Sequence, residues 1–286
     1  MIKNFQTIVL AGRSDLAKHR NYFQKLVSFL KSQGKNVFLC VNIAKILKAK
    51  AATPNQARKA DLVLIFGGDG TFLSVVRKLF KARGAFAGIK LEGTLGFLTE
   101  YTPEKLKQNL ARFFEGKFEI KERIILKAEI YRQGKLFKKL YALNETTISQ
   151  NGIARLVEID FLVNKKRLAT FHSDGAIVAT PTGSTAYSLS AGGPILDPDL
   201  QALILTPINP HLLTVRPLVL PATEKIRAKI SNSKHILTID GQVNLRLKRN
   251  DEVVFQKSKW PLKVIHCKNR NHFAILRKKL NWAERS

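Results

Sequence analysis

The 286-residue sequence predicts an α/β N-terminal domain with a Rossmann-like parallel sheet, an all-β C-terminal domain of β-sandwich type, and a C-terminal helix packing back on the first domain. Three observations carry this expectation. Strand-like and helix-like segments alternate over roughly the first 116 residues, which calls for a parallel sheet covered on both faces. From Lys117 to about Ile265, short strand-like runs succeed one another with turn residues between them, as in antiparallel all-β domains. From His272 to Glu284, Phe273, Leu276 and Leu280 recur like one side of a helix. The expected domains are 1–116, 117–268 and 269–286.

In chain order, Phe5 to Ala11 reads as a strand, and Gly12-Arg13-Ser14-Asp15 as a turn into a helix with Leu16, Phe23, Leu26, Val27 and Leu30 on its apolar side. Gly34 stops that helix. Asn36 to Val41 is a second strand, Ile43 to Lys50 a short helix, and Pro54 marks a loop. Leu62 to Phe66 is a run of five apolar residues, the signature of a strand buried on both faces. It ends at Gly67-Gly68-Asp69-Gly70, with Thr71 placed to start a helix over Phe72, Val75, Val76 and Leu79. Ala85 to Ile89 is the fourth strand, Glu92 to Phe97 a second glycine-bearing turn, and Thr102-Pro103 the cap of a helix through Phe114 that closes at Gly116.

The strand-like segments that follow are 124–131, 136–149, 156–163, 168–172, 177–180, 203–206, 218–220, 226–230, 236–239 and 253–255. Gln133-Gly134, Asn151-Gly152 and Asn164-Lys165 supply turn chemistry between them.

Composition narrows the function classes. The formal charge of +28 suits a nucleic-acid binder, a membrane-surface protein or an enzyme of polyanionic substrates. The basic runs are short, as at Lys138-Lys139, Lys165-Lys166-Arg167, Arg246-Leu247-Lys248-Arg249 and Arg277-Lys278-Lys279, and no nucleic-acid-binding pattern accompanies them. They read as a solvated lysine-rich surface, with no specific nucleic acid as partner. No apolar run approaches the ~18 residues that span a bilayer, so no membrane is expected. The first apolar run is too short for a signal peptide. Cys40 and Cys267 stand far apart without metal-ligand spacing, and a reducing cytoplasm is the expected location. The six histidines form no cluster with such spacing either, so no protein metal site is expected.

Two stretches carry chemistry. Backbone amides at a strand-to-helix corner cradle phosphate, and Asp69 adds an acceptor to that corner; a plain tight turn is the alternative. Asp174 to Pro194 holds Thr180, Thr182, Ser184, Thr185, Ser188 and Ser190 among small residues, plus Tyr187 and very few charges. Small residues let a flat ligand lie against backbone, hydroxyls read its edges, and the ring stacks or hydrogen-bonds.

With these motifs the chain resembles the NAD kinases, especially the bacterial form. The matching residues are GGDGT at Gly67 to Thr71, LNE at Leu143 to Glu145, TPTGSTAYSLSAGGPI at Thr180 to Ile195 and DGQ at Asp240 to Gln242, and the terminal LRKKLNWAE is similar to the family's closing helix. GGDGT is shared with lipid kinases and phosphofructokinases, whereas the long hydroxyl-rich signature is far more specific.

The resemblance implies transfer of the γ-phosphoryl group of ATP to the 2′-hydroxyl of the adenosine ribose of NAD, with Mg²⁺ or another divalent metal accompanying ATP. By that resemblance Asp69 is the base. Gly67, Gly68, Gly70 and Thr71, with Phe72, form the phosphate-binding stretch of domain 1–116. Asn144 and Glu145 of domain 117–268 hold NAD through its ribose and adenine. Asp174, Thr185, Ala186, Tyr187 and Ser190 complete the pocket, in part across a subunit interface, so a homodimer or homotetramer is implied. Polyphosphate in place of ATP stays open, as does the role of Asp240.

Two departures stand out. The family's Asn-x-Gly-x-Leu-Gly-Phe pattern is met here by residues 89–97 with Leu91 at the Asn position, or Lys90 with a one-residue insertion. Its Gly-Asp-Gly is here Ser173-Asp174-Gly175. The competing readings are a lipid kinase of the diacylglycerol or sphingosine type, sharing GGDGT, and a basic nucleic-acid-binding protein without catalysis.

Overall fold

The computed structural model describes residues 5–93, 96–150, 156–212, 214–231, 235–266 and 271–281. Thr94 and Leu95 of the second glycine turn, the Asn151-Gly152 turn, Cys267, and 282–286 of the closing segment lie outside the described residues. The chain forms two compact units, one of residues 1–121 with 262–286 and one of residues 122–261.

The first unit is built on a six-stranded sheet in the order Asn36–Leu39, Thr7–Gly12, Leu62–Phe66, Ala85–Ile89, Leu262–His266, Glu119–Arg123. Pairings among the first five strands of that order are parallel. Helices Arg20–Ser32 and Pro103–Phe114 bury Phe23, Leu26, Leu30, Leu106, Leu110 and Phe113 in one core with the sheet. Both end as expected. Gly34 and Gly116 have positive φ, and the amides of Gly34 and Lys35 bond back to Lys31 and Leu30, those of Gly116 and Lys117 to Phe113 and Arg112. In this order the strand ends at Gly12 and Phe66 flank the point where the chain direction across the sheet reverses, the usual ligand position in such folds.

Several boundaries differ from expectation. Pro54 opens a short helix, Pro54–Arg58, because Thr53 and Gln56 cap it reciprocally; the residues are those of a capping box. The helix after the glycine turn begins at Asp69 rather than at Thr71, with Gly68 as its N-cap. Glu119–Arg123 and Leu262–His266 are strands of the α/β sheet, not of the all-β domain, so the return to the first unit starts at Leu262 rather than at 269. The closing helix is His272–Leu280, with Leu276 buried and the His272 ring 6.5 Å from that of Phe97.

The second unit is a sandwich of two six-stranded antiparallel sheets. One runs Lys166–Ser173, Val157–Val163, Ile226–Ile230, Glu252–Lys257, Leu126–Arg132, Lys135–Ala142, and the other Leu218–Pro221, Ala202–Ile208, Gly175–Ala179, Glu145–Gln150, His235–Ile239, Val243–Leu247. Alternate residues of both sheets, among them Ala128, Ile130, Phe161, Ile148, Val178 and Leu205, share one core. The intervening Ile177, Ala179 and Ile204 pack on the outer side against Ala191 and Leu196. The loop after Ala179 therefore covers the second sheet. The strand expected over 136–149 is two strands in different sheets, parted at Leu143-Asn144. Val243–Leu247, whose alternation was readable, is a further strand.

Candidate functional sites

In the α/β unit, Leu62–Phe66 is wholly buried and delivers the chain to Gly67, which has φ 151° and donates its amide to Ile89 O at 3.0 Å. A Cβ there would lie 2.5 Å from Thr71 Oγ1, so only glycine fits. The first turn of the helix, Asp69-Gly70-Thr71, then presents the positive end of its dipole at the corner. A small cavity at this point is lined by Arg13, Gly67, Gly68, Lys90 and Glu92. The Lys90 ammonium stands 3.1 Å from where a Gly68 Cβ would be. Glu92 is engaged by Lys18 at 2.5 Å and His19 at 3.2 Å, and the Lys18 hydrogen bond holds its carboxyl below the usual range.

Asp69 is tied down from the second glycine turn. Its Oδ2 accepts from the Phe97 amide at 2.8 Å, and its Oδ1 from the Leu98 amide and the Thr99 hydroxyl, both at 3.2 Å. A Cβ on Gly96 would fall 2.1 Å from Asp69 Oδ1. Sequence reading missed this partnership, although Gly96-Phe97 belongs to the turn that it singled out. Three donors fix the carboxylate yet leave acceptor capacity on its two oxygens. Phe72, expected with the phosphate-binding stretch, has a fully buried ring, packed where a Gly88 side chain would be.

In the sandwich, Asn144 and Glu145 sit where the chain passes between sheets. Asp240 holds them there. It occupies a hairpin with φ 47°, followed by Gly241 at 63°, and its buried carboxylate accepts from the amides of Leu143 (3.2 Å), Asn144 (2.9 Å) and Glu145 (3.3 Å). From the other side Thr180 donates its hydroxyl to Leu143 O at 2.6 Å and its amide to Asn144 O at 2.8 Å. Gly183 packs so closely that a Cβ would come 2.2 Å from Asn144 O. The Asp-Gly turn was readable; the carboxylate's second task was not.

Glu145 pairs in register with Ala179, on the sheet face covered by the hydroxyl-rich loop. Burial, with the charge of Asp240 adding to it, pushes its carboxyl up to about 8, so the proton stays on at neutral pH. Glu145 Oε2, Asn144 Oδ1 and Thr182 Oγ1 are buried without hydrogen-bond partners. Each such atom costs about 1–3 kcal/mol. Three such atoms on neighbouring segments are a large share of a domain's net stability, of order 5–15 kcal/mol, and would be satisfied by a hydrogen-bonding ligand.

The loop itself is only partly ligand-facing. Thr180, Thr182, Ser184 and Ser188 are buried; Ser184 bonds Pro181 O and Leu196, and Ser188 bonds Thr206. Thr180, Ser184 and Ser188, three of the six hydroxyls expected to read a ligand, therefore hold the loop together, because closely packed turns need internal acceptors and donors. Thr185 and Ala186 are half-buried, while Ser190 and Tyr187, the latter 48% exposed, are open. Asp174, exposed and bonded to Asn209 at 3.0 Å, precedes the opposite end of the Gly175–Ala179 strand, roughly 17 Å from Glu145 by strand rise. One chain does not bring it to Asn144 and Glu145. Among the described residues, no group of three His, Cys, Asp or Glu side chains is arranged to hold a metal, and no helix is long and apolar enough to cross a membrane.

A parallel sheet with a glycine corner at its reversal point, followed by a sandwich with a buried, partnerless acid, is the arrangement of a two-unit nucleotide-binding protein. Residues 13–118 match the model of the ATP-NAD kinase N-terminal domain and residues 143–267 that of the ATP-NAD kinase C-terminal domain. The chain is 38% identical over 265 residues to an NAD kinase of Syntrophotalea carbinolica, covering 91% of this chain and 93% of that one. It is 36% identical over 291 residues to one of Shewanella frigidimarina, covering 100% and 94%. Among solved structures, yeast NADH kinase complexed with NADH shares the fold, with a TM-score of 0.91, 23% identity and coverage of 99% and 89%. An NAD kinase from Archaeoglobus fulgidus in complex with ATP gives 0.76 at 26% identity, covering 95% and 98%. The chain belongs to the NAD kinase family. Neither the lipid-kinase reading nor the nucleic-acid-binding reading is favoured by these matches.

Proposed function

We propose that the protein is an ATP-dependent NAD kinase, making NADP by phosphorylating the 2′-hydroxyl of the adenosine ribose of NAD. The observation that carries this is the match of both halves of the chain to the two ATP-NAD kinase domains, with Asp69 and Glu145 each inside a formed site. Asp69, already oriented by three donors, accepts the hydroxyl proton as the 2′-oxygen bonds to the γ-phosphorus and the bond to the β–γ bridging oxygen breaks, releasing ADP. Gly67, Gly68, Gly70 and Thr71 receive phosphate oxygens, and Arg13 and Lys90 add positive charge there.

Asn144 and Glu145 hold the adenosine end of NAD. Protonated Glu145 both donates and accepts, which suits a ribose hydroxyl or an adenine edge. Mg²⁺ would be held chiefly by the phosphates of ATP and would supply charge neutralisation. Tyr187 and Ser190 are open to the ligand, with Thr185 and Ala186 beside them, whereas Asp174 reaches such a pocket only from a second copy of the chain, which argues for a homo-oligomer. Cys40 is a free thiol, in keeping with the cytoplasm.

The test is direct: incubation with ATP, Mg²⁺ and NAD yields NADP, detected with an NADP-specific dehydrogenase. No NADP across varied metals and phosphate donors overturns the reading.

A further inference from the structure

A second, larger opening lies within the α/β unit, a groove of about 720 Å³. Its floor is the end of the first strand, Ala11 and Gly12, and one wall is the outer side of the 69–79 helix at Ser74, Val75 and Lys78. Asn42 steadies the floor by donating to Gly12 O at 2.9 Å. Two properties of the lining define what it takes. Arg13, Arg58 and Lys78 contribute cations, and no carboxylate is among the described residues that line it. Between those cations the walls are apolar, including Val41, which is 55% exposed, with Val75 and Leu79. A flat apolar body carrying a polyanionic tail meets both properties, and the volume lies in the range of small-molecule sites.

The groove is continuous with the glycine corner along the lining residues. Gly70 and Thr71 of the first helical turn border it, and Arg13 lines both the groove and the small cavity at Gly67, Gly68 and Lys90. We propose that this groove seats the nucleoside end of the phosphoryl donor, whose phosphates run past Arg13 and the first turn of the 69–79 helix toward Lys90. This rests on the kinase reading and adds to it where the donor's base and ribose bind. It also divides the donor's recognition in two: a nucleoside triphosphate fills groove and corner, while an inorganic polyphosphate uses the corner alone.

Ser74→Trp fills the groove without touching the glycine turn. The expected result is a KM for ATP raised on the order of ten-fold or more, with KM for NAD within about two-fold and a normal circular dichroism spectrum. A folded Ser74→Trp enzyme with an unchanged KM for ATP overturns the proposal. An independent measurement covers misfolding of that variant. Cys40 lines the groove and is half-buried, with its thiol pKa raised by burial, so its alkylation above neutral pH is slow and reports access. In a Cys267→Ser enzyme, where Cys40 is the only cysteine, saturating ADP should slow alkylation about ten-fold or more and NAD should not. Failure of ADP to protect overturns the groove assignment. If the unmodified enzyme makes NADP from ATP in the same preparation, the kinase reading survives that failure.

Discussion

The two candidate sites solve opposite electrostatic problems. At the glycine corner of the α/β unit, the cations Arg13 and Lys90 line the cavity, the carboxylate beside them, Glu92, is paired with Lys18, and Asp69, the proposed base, is held by three donors from one turn. In the sandwich the acid is buried, protonated and short of partners, with another carboxylate pressed behind the same loop. The first arrangement neutralises charge that arrives with a ligand. The second suits neutral hydroxyl and amine groups, because its acid keeps its proton and Glu145 Oε2 and Asn144 Oδ1 lack hydrogen-bond partners. A phosphotransferase acting on an alcohol needs both, and the chain builds each from a different kind of loop.

Substitutions at the two acids should therefore fail in different ways. Asp69→Asn keeps the shape and the hydrogen-bonding oxygen but removes the base, so kcat should fall by roughly 10²–10⁴. NAD affinity, measured by calorimetry because KM need not equal a dissociation constant, should change far less. Glu145→Gln should do the reverse, weakening NAD binding at least as much as turnover. If Asp69→Asn abolishes binding while staying folded, the contrast between a charge-handling corner and a ligand-recognising pocket collapses.

Asp240→Ala sharpens the contrast at the sandwich site. Three amides lose their acceptor, Leu143 and Glu145 among them in buried surroundings, and an unmade buried hydrogen bond costs about 1–3 kcal/mol. Chemical denaturation should show a loss of that order or more, together with weaker NAD binding. Asp240→Asn should recover part of the stability, since the amide oxygen still accepts. Full NAD affinity in Asp240→Ala would mean that the loop needs no clamp.

These residues also show where the sequence is legible and where it is not. The glycine corner was readable because its chemistry is local: a buried run, two glycines and an acid follow one another in the eight positions 62–69. The partners of Asp69 were not, since nothing in Phe97-Leu98 announces that its backbone amides turn toward a carboxylate 28 and 29 residues earlier. Asp240-Gly241 reads as a hairpin, which it is, and that reading hides a carboxylate reaching across almost a hundred residues to Asn144. The hydroxyls of Thr180, Ser184 and Ser188 bond within the protein, and composition cannot tell such an internal partner from an exposed one. The parallel strand Leu262–His266 was grouped with the sandwich because its place in the first sheet is a long-range fact.

The buried acid of the sandwich predicts a pH dependence of stability. Glu145 keeps its proton in the folded state to about pH 8, against an ordinary value of 4.5. Its contribution is fully present below pH 4.5, because folded and unfolded states are then both protonated. Between 4.5 and about 8 the unfolded chain has released a proton that the folded chain retains, so stability falls as pH rises across that window. Urea titrations from pH 5 to pH 9 should show this decline, and Glu145→Gln should flatten it. An equal slope in the variant would assign the decline to other groups.

The smallest expected effect concerns the field of the whole chain. A formal charge of +28, spread in short runs, attracts NAD and ATP wherever they approach, so its influence falls on encounter more than on chemistry. The Debye length shortens from about 10 Å at 0.1 M to about 3 Å at 1 M salt, which removes the long-range part and leaves the contacts of a bound phosphate largely intact. Raising ionic strength with an inert salt should thus lower kcat/KM for both substrates by a modest factor while kcat moves less. The two sites should also separate under this treatment, with the KM for ATP rising more than that for NAD, because ATP carries the greater charge and meets Arg13 and Lys90 at an open corner. Equal losses in kcat and kcat/KM, or none, would mean that the lysines serve as solvated surface and that capture at the corner depends on the local cations alone.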